Sequence, residues 1–277
     1  MNSIKLKSFW FSSLIALILL ACTSGNPETS NQTLSFGQEP AKAVFLDASG
    51  KDKRIPMTSK AFPWSSIGRL YHQYNDDSVQ LCTATLVGRS IAVTAAHCVL
   101  NNGQLIDVTF QASYNQGAYT ARAHSQAIKV GTTNPNRHFA NDWAVIHLDS
   151  PIGDKLGFMS LENIENISSP ILVNYSGYSN NFKHSETAGA EENCSIKERF
   201  NHGIYANTVY SGTYGHDCSM SQGGSGGPLF TSAGLLLAIA TREHGEVSTS
   251  YSSEKASIGV MSQDFVDAVT EFKKKYD

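Results

Sequence analysis

The chain has 277 residues, 41% of them hydrophobic, a formal net charge of −3 and 22 glycines. That length and apolar share suit one large domain with its own core. The mildly acidic balance shows no concentrated basic face and so argues against nucleic acid as a partner; only Lys273-Lys274-Lys275 runs against it, at what reads as a helix end that favours cations.

From the start, Lys5 and Lys7 precede a mostly apolar run from Phe9 to Ala21, short for a membrane span of about 20 residues. Residues 1–21 therefore read as a secretion signal. Leu19-Leu20-Ala21-Cys22 resembles a bacterial lipobox, after which Cys22 would carry lipid, palmitate included, and become the first mature residue. The plainer alternative is a simple signal peptide with a leftover cysteine. Residues 22–42 are rich in Ser, Thr, Asn, Gln, Gly and Pro and too polar to bury a core, so they read as a tether. The expected address is extracytoplasmic: a lipoprotein of the bacterial outer membrane or cell surface, or the periplasm. Between Ala43 and Ile55 an apolar piece precedes Lys51-Asp52-Lys53-Arg54, which could be propeptide or the opening of the mature domain, with a cut near Arg54 conceivable.

Residues 64–150 hold short β-branched or apolar runs divided by turn signals: Ser66–Leu70, Leu81–Val87, Ile91–Ala95, Leu105–Ala112, Tyr119–Val130 and Trp143–Leu148. A second series follows at Ile171–Tyr175, Asn193–Lys197, Thr208–Ser211, Leu229–Phe230, Leu235–Thr241 and Ala256–Met261. Spacing of this kind predicts an all-β sandwich or barrel rather than βαβ units. The period changes at the end. Phe265, Val269, Phe272 and Tyr276 share one helical face, which predicts a helix over 262–276 with Ser262 as N-cap and Asp264 in the first turn.

Three segments carry chemistry. Ile91-Ala92-Val93-Thr94-Ala95-Ala96-His97-Cys98 places an imidazole at a strand end, and Asn141-Asp142-Trp143-Ala144-Val145 places one carboxylate at the rim of an apolar run. Ser219-Met220-Ser221-Gln222-Gly223-Gly224-Ser225-Gly226-Gly227-Pro228-Leu229-Phe230 surrounds a serine with glycines that can turn tightly and aim N–H groups at a substrate carbonyl. A serine hydroxyl needs a base to take its proton and donors to hold the oxyanion it generates. Gly223-x-Ser225-x-Gly227 formally fits the α/β-hydrolase elbow, whose partners follow as acid and then histidine; here His244 precedes Asp264 and Asp267, so that reading fails. The upstream partners give the order His97, Asp142, Ser225. Asp107 is the rival acid, better placed to cap a strand or face solvent. His216-Asp217 lies beside the expected pocket and would line it.

Taken together, Thr94-Ala95-Ala96-His97-Cys98, Asp142 and Gly223-Gly224-Ser225-Gly226-Gly227-Pro228 resemble the signatures of chymotrypsin-fold, trypsin-like serine endopeptidases. Gly50–Ile55 and Phe62–Leu70 are similar to the start of the bacterial glutamyl-endopeptidase branch. The resemblance implies two six-stranded antiparallel β-barrels with a C-terminal α-helix in a domain over 43–277, the first barrel at about 60–150, the second at about 165–261. It implies a protein or peptide substrate and no cofactor; monomer is the expected state. His97 would act as general base, Asp142 would orient it, Ser225 would be the nucleophile, and the N–H groups of Gly223 and Ser225 would form the oxyanion hole.

Of the four cysteines left after Cys22, which allow three pairings, the resemblance implies Cys82–Cys98 and Cys194–Cys218. A zinc site at His97-Cys98 is the alternative, but no CxxC or HxxxH spacing supports it and no metal is expected. Ser219, six residues before the nucleophile, would lie at the base of the primary pocket, with no carboxylate for a Lys or Arg substrate. Thr241, Arg242 and Glu243 would form the edge that pairs with an extended peptide. Where glutamyl-specific relatives place a pocket histidine, this chain has Ala240 or Thr241, so glutamyl cleavage does not follow. Gly224, just before the nucleophile, offers no carboxylate for a new α-ammonium, so the trypsin activation switch is absent. The reading from a different class is a non-catalytic surface binding lipoprotein on the same fold.

Overall fold

The computed structural model describes residues 44–161, 170–200, 210–243 and 247–277. The expected signal sequence, the tether and Cys22 lie outside the described residues, as does His244.

Six strands form the first barrel: β1 (Ile67–Gln73), β2 (Val79–Leu86), β3 (Ile91–Thr94), β4 (Thr109–Ala112), β5 (Ala121–Val130) and β6 (Ala144–Leu148). They close in the order β1-β2-β3-β6-β5-β4. The second barrel uses β7 (Ile171–Gly177), β8 (Gly189–Arg199), β9 (Tyr214–His216), β10 (Pro228–Phe230), β11 (Leu235–Arg242) and β12 (Ser257–Met261). Its ring runs β7-β8-β9-β12-β11-β10 and closes back on β7, so both halves repeat one antiparallel connection pattern. The two-barrel expectation from the resemblance is what the chain forms.

The continuous apolar runs have a simple cause. Successive side chains of a strand point to opposite faces, and strands β3 and β6 are buried on both. Ala92, Ala144, Ile146 and Leu148 fill the interior of the first barrel with Leu70, Leu86 and Phe110. Ile91, Val93 and Val145 face outward, into a second cluster with Phe265, Val269 and Phe272. Those last three belong to the C-terminal segment, whose helix is Val266–Tyr276 with Phe265 at its N-cap position. The predicted helical face is thus the packed one, and Tyr276 adds a stack on His147 at 4.0 Å between ring centroids. The start differs from expectation: Ser262–Asp264 is a 3-10 turn, Phe265 provides no side-chain cap, and Asp267, not Asp264, is the acid of the first turn.

One further expectation needs correction, and contacts bear on one pair of alternatives left open. The third strand of the second barrel is Tyr214–His216 rather than Thr208–Ser211: Thr213 N–H donates to Tyr210 C=O and Gly212 N–H to Phe200 C=O, which makes 210–213 a turn, while 208 and 209 lie outside the described residues. The segment from residue 44 onward is integral to the domain. Ile55–Pro56 pairs with Gly189–Ala190 on β8, and Val44 and Phe45 are buried. Arg54 is only 5% exposed. It grips Asp52 through Nε and Nη2, donates from Nη1 to Asn181 Oδ1 at 2.9 Å and lies over the Phe182 ring. A cut at Arg54 would have to dismantle all of these contacts.

Both disulfides implied by the resemblance are present. Cys82–Cys98 joins β2 to the turn after β3, with Cα atoms 5.9 Å apart, and Cys194–Cys218 joins β8 to the segment after β9, at 5.1 Å. Such crosslinks persist in oxidising compartments, consistent with a secreted protein. No helix among the described residues is long and apolar enough to cross a membrane.

Candidate active site

His97 sits in the 3-10 turn Ala96–Val99 that ends β3, and Asp142 follows the 3-10 turn Phe139–Asn141 that leads into β6. Because β3 and β6 are hydrogen-bonded neighbours, with Thr94 opposite Ala144, both side chains emerge from one end of the first barrel. The Asp142 carboxylate is fully buried and accepts twice from the same residue: from His97 N–H at 3.0 Å and from His97 Nδ1 at 2.8 Å. A carboxylate can only accept here, so Nδ1 carries the proton and Nε2 is left as the basic nitrogen.

Ser225 reaches the same cleft from the loop before β10, and its loop is built for close approach. Gly226 has φ +81°, and a Cβ there would stand 2.1 Å from Thr83 C=O and from Thr94 Oγ1. Gly223 has φ +89°, where a Cβ would meet Tyr178 C=O at 2.4 Å. Thr83 on β2 ties the loop to the first barrel: its N–H donates to Ser225 C=O at 2.8 Å and its hydroxyl to Gly223 C=O at 2.9 Å.

The carbonyls ahead of Gly223 and Ser225 are also taken. Gln222 C=O accepts from Asn180 N–H at 2.8 Å, and Gly224 C=O from the Tyr175 hydroxyl at 3.0 Å. In a trans peptide the following N–H points the opposite way, and the N–H groups of Gly223 and Ser225 donate to no acceptor among the described residues. That pair of free donors is what an oxyanion requires.

The Ser225 hydroxyl donates to Thr241 C=O at 3.2 Å rather than to His97. Free enzymes commonly hold such links loosely until substrate arrives. His97 and Ser225 border one cleft of about 270 Å³, whose other walls are Asn136, Gln222, Thr241, Arg242 and Glu243.

Of the residues expected to contact substrate, Thr241, Arg242 and Glu243 are therefore on the cleft. Ser219 is not. It is fully buried, and its hydroxyl accepts from Phe45 N–H at 2.9 Å and donates to Phe45 C=O at 3.2 Å. Beneath it Glu191 Oε2 accepts from Ser219 N–H at 2.7 Å, with Lys53 Nζ at 3.5 Å from Oε1; burial pushes this carboxyl above its usual range. His216 is 1% exposed with both ring nitrogens unpaired, and burial pulls its pKa down to about 4. Its neighbour Asp217 faces β8, accepting from Ser195 N–H and pairing with Lys197, so neither residue lines the cleft. Asp107 is exposed and uses its carbonyl to hold His72.

Cys82, His97 and Cys98 place their ligand-type atoms within 4.8 Å of one another. The two sulfurs are bonded together, so neither can serve as a thiolate, and this set does not fit a metal. Sequence reasoning missed Thr83, Asn136 and Gln222. Only Thr83 left a trace, as the residue after a cysteine whose partner adjoins His97.

The family model described as Trypsin matches residues 56–266. No match was found among curated proteins. Among solved structures, a Glu endopeptidase in complex with MPD superposes with a TM-score of 0.65 at 19% identity, covering 81% of this chain and 98% of its own. HL collagenase gives 0.60 at 18%, covering 76% and 94%, and the scabies mite inactivated protease paralogue S-D1 gives 0.58 at 19%, covering 80% and 96%. With a matching sequence family spanning most of the chain and both barrels in place, the protein belongs to the trypsin family of serine endopeptidases.

Proposed function

We propose that this chain is a secreted serine endopeptidase, monomeric and tethered to a membrane through lipid on Cys22, that cleaves peptide bonds with His97, Asp142 and Ser225. His97 Nε2 takes the Ser225 proton as Oγ attacks the scissile carbonyl, and the oxyanion forms against the N–H groups of Gly223 and Ser225. His97 then returns the proton to the departing amine, and water hydrolyses the acyl-enzyme by the same route. Asp142 holds the imidazole in the required tautomer and stabilises its charged form. The observation that carries this reading is the double hydrogen bond from His97 to a fully buried carboxylate, at the cleft that Ser225 also enters.

A second reading, a surface binding lipoprotein without turnover, draws on the Ser225 hydroxyl being engaged by Thr241 C=O and on an inactivated paralogue sharing the fold. A fluorophosphonate probe separates the two. The peptidase should be labelled at Ser225, with labelling lost in His97→Ala; a folded preparation that takes no label belongs to the binder. The tether is tested separately, by mass spectrometry of the mature N-terminus, where an unmodified start other than residue 22 would remove the lipid.

A further inference from the structure

Arg242 is the one Lys or Arg among the described residues that line the cleft, and nothing in the peptidase chemistry uses it. Its side chain leaves the end of β11 and crosses to the first barrel. Nη2 donates to Asn136 Oδ1 at 2.7 Å and to Pro135 C=O at 3.5 Å, and the guanidinium carbon lies 4.1 Å from the centre of the Phe139 ring. The buried Nε has no partner, and no described carboxylate lies within ion-pair distance of the group. Glu243, the next residue, borders the same cleft without pairing with it. The guanidinium groups of Arg54, Arg69 and Arg89, by contrast, each have their carboxylate. Arg242 is instead fixed by neutral partners, and among the described residues its charge and its Nη1 donors are uncompensated.

Resting on the peptidase reading, we propose that Arg242 selects peptides with an acidic side chain upstream of the residue that supplies the scissile carbonyl. Thr241 C=O is 3.2 Å from Ser225 Oγ, so the acylated residue lies beside Thr241. A peptide added antiparallel to the strand end runs backward along Thr241, Arg242 and Glu243, which brings Arg242 against earlier residues of the acyl side. A guanidinium already clamped by Asn136 and Phe139 loses little rotamer freedom on binding, and its planar donors match a carboxylate. Glu243 repels acids at its own position, which confines the preference to one subsite.

The test compares peptide pairs differing only as Glu against Gln at each acyl-side position. At one position wild type should favour Glu by about tenfold in kcat/KM, a ratio that shrinks with added salt. The ratio should fall to about one in Arg242→Gln, stay partial in Arg242→Lys and invert toward Lys-bearing peptides in Arg242→Glu. No Glu preference at any upstream position of wild type overturns the proposal. So does an Arg242→Gln variant that slows every peptide equally, which would make Arg242 a support for the 134–139 loop and nothing more. Fluorophosphonate labelling of wild type reports on the peptidase reading alone. Calorimetric binding of the same peptide pairs to Ser225→Ala reads the Arg242 preference without turnover, so each idea can fail by itself.

Discussion

The two barrels share a connection pattern but not an interior. The first encloses Leu70, Leu86, Phe110, Ile146 and Leu148 and holds His97 and Asp142 at one end. In the second, Glu191, His216 and Arg242 all have a buried atom without a hydrogen-bond partner, and no ionisable side chain of the first barrel does so among the described residues. Buried unpaired polar groups are costly, so proteins keep them where they serve binding or tuning. The first barrel holds the His97–Asp142 pair of the proposed proton relay at one end. The other buries ionisable groups within itself, and of the three only Arg242 borders the cleft.

Four changes would break or sharpen that contrast. The largest effect is expected at the His97–Asp142 pair: Asp142→Asn should present an amide N–H to His97 Nδ1, favour the wrong tautomer and lower kcat by about 10⁴-fold with the fold intact. A loss below tenfold, with an unchanged circular dichroism spectrum, would show that the first barrel does not set the tautomer.

Next is the seam between barrels. Gly226→Ala puts a methyl 2.1 Å from Thr83 C=O at a φ of +81°, and should destabilise by about 3 kcal/mol or more; urea denaturation measures it.

The third concerns the second interior. The pKa of His216 is pulled from 6.5 down to about 4 by burial. Its contribution is therefore present above pH 6.5 and lost as pH falls toward 4, about 3 kcal/mol in all. Burial pushes Asp264 the other way, from 3.8 up to about 6, and raises Glu191 as well; their contributions are present at low pH and lost as pH rises. His216→Leu should remove the acid limb and leave stability rising as pH falls from 6 to 4. An unchanged stability–pH curve would exclude a neutral buried imidazole. The smallest change is Ser219→Ala, which strips Phe45 N–H of its acceptor and should cost about 1–2 kcal/mol while leaving kcat/KM near wild type. A large loss of kcat/KM would return Ser219 to the substrate pocket.

His97, Asp142 and Ser225 were legible because each stands in a short local pattern with a clear chemical use. For His97 it is a strand end, for Asp142 the rim of an apolar run, and for Ser225 a turn bracketed by glycines. The strands of the first barrel were legible for a related reason, since two-sided burial writes itself as apolar runs such as Ile91–Thr94. Tyr214–His216 was not, because a three-residue strand containing glycine and histidine carries no period, and its pairing with Ser257–Gly259 decides it.

The chain alone therefore determined the all-β architecture and the final helix, consequences of short-range periodicity and turn chemistry, and singled out His97, Asp142 and Ser225 as the candidate reactive side chains through their local motifs and the family those motifs resemble. Tertiary structure decided that Ser219 turns to Phe45, that Arg242 spans to Asn136 and Phe139, and that Thr83 anchors the loop carrying Ser225. Each of those contacts joins residues more than a hundred positions apart, where spacing in the sequence holds no record of which side chains will meet.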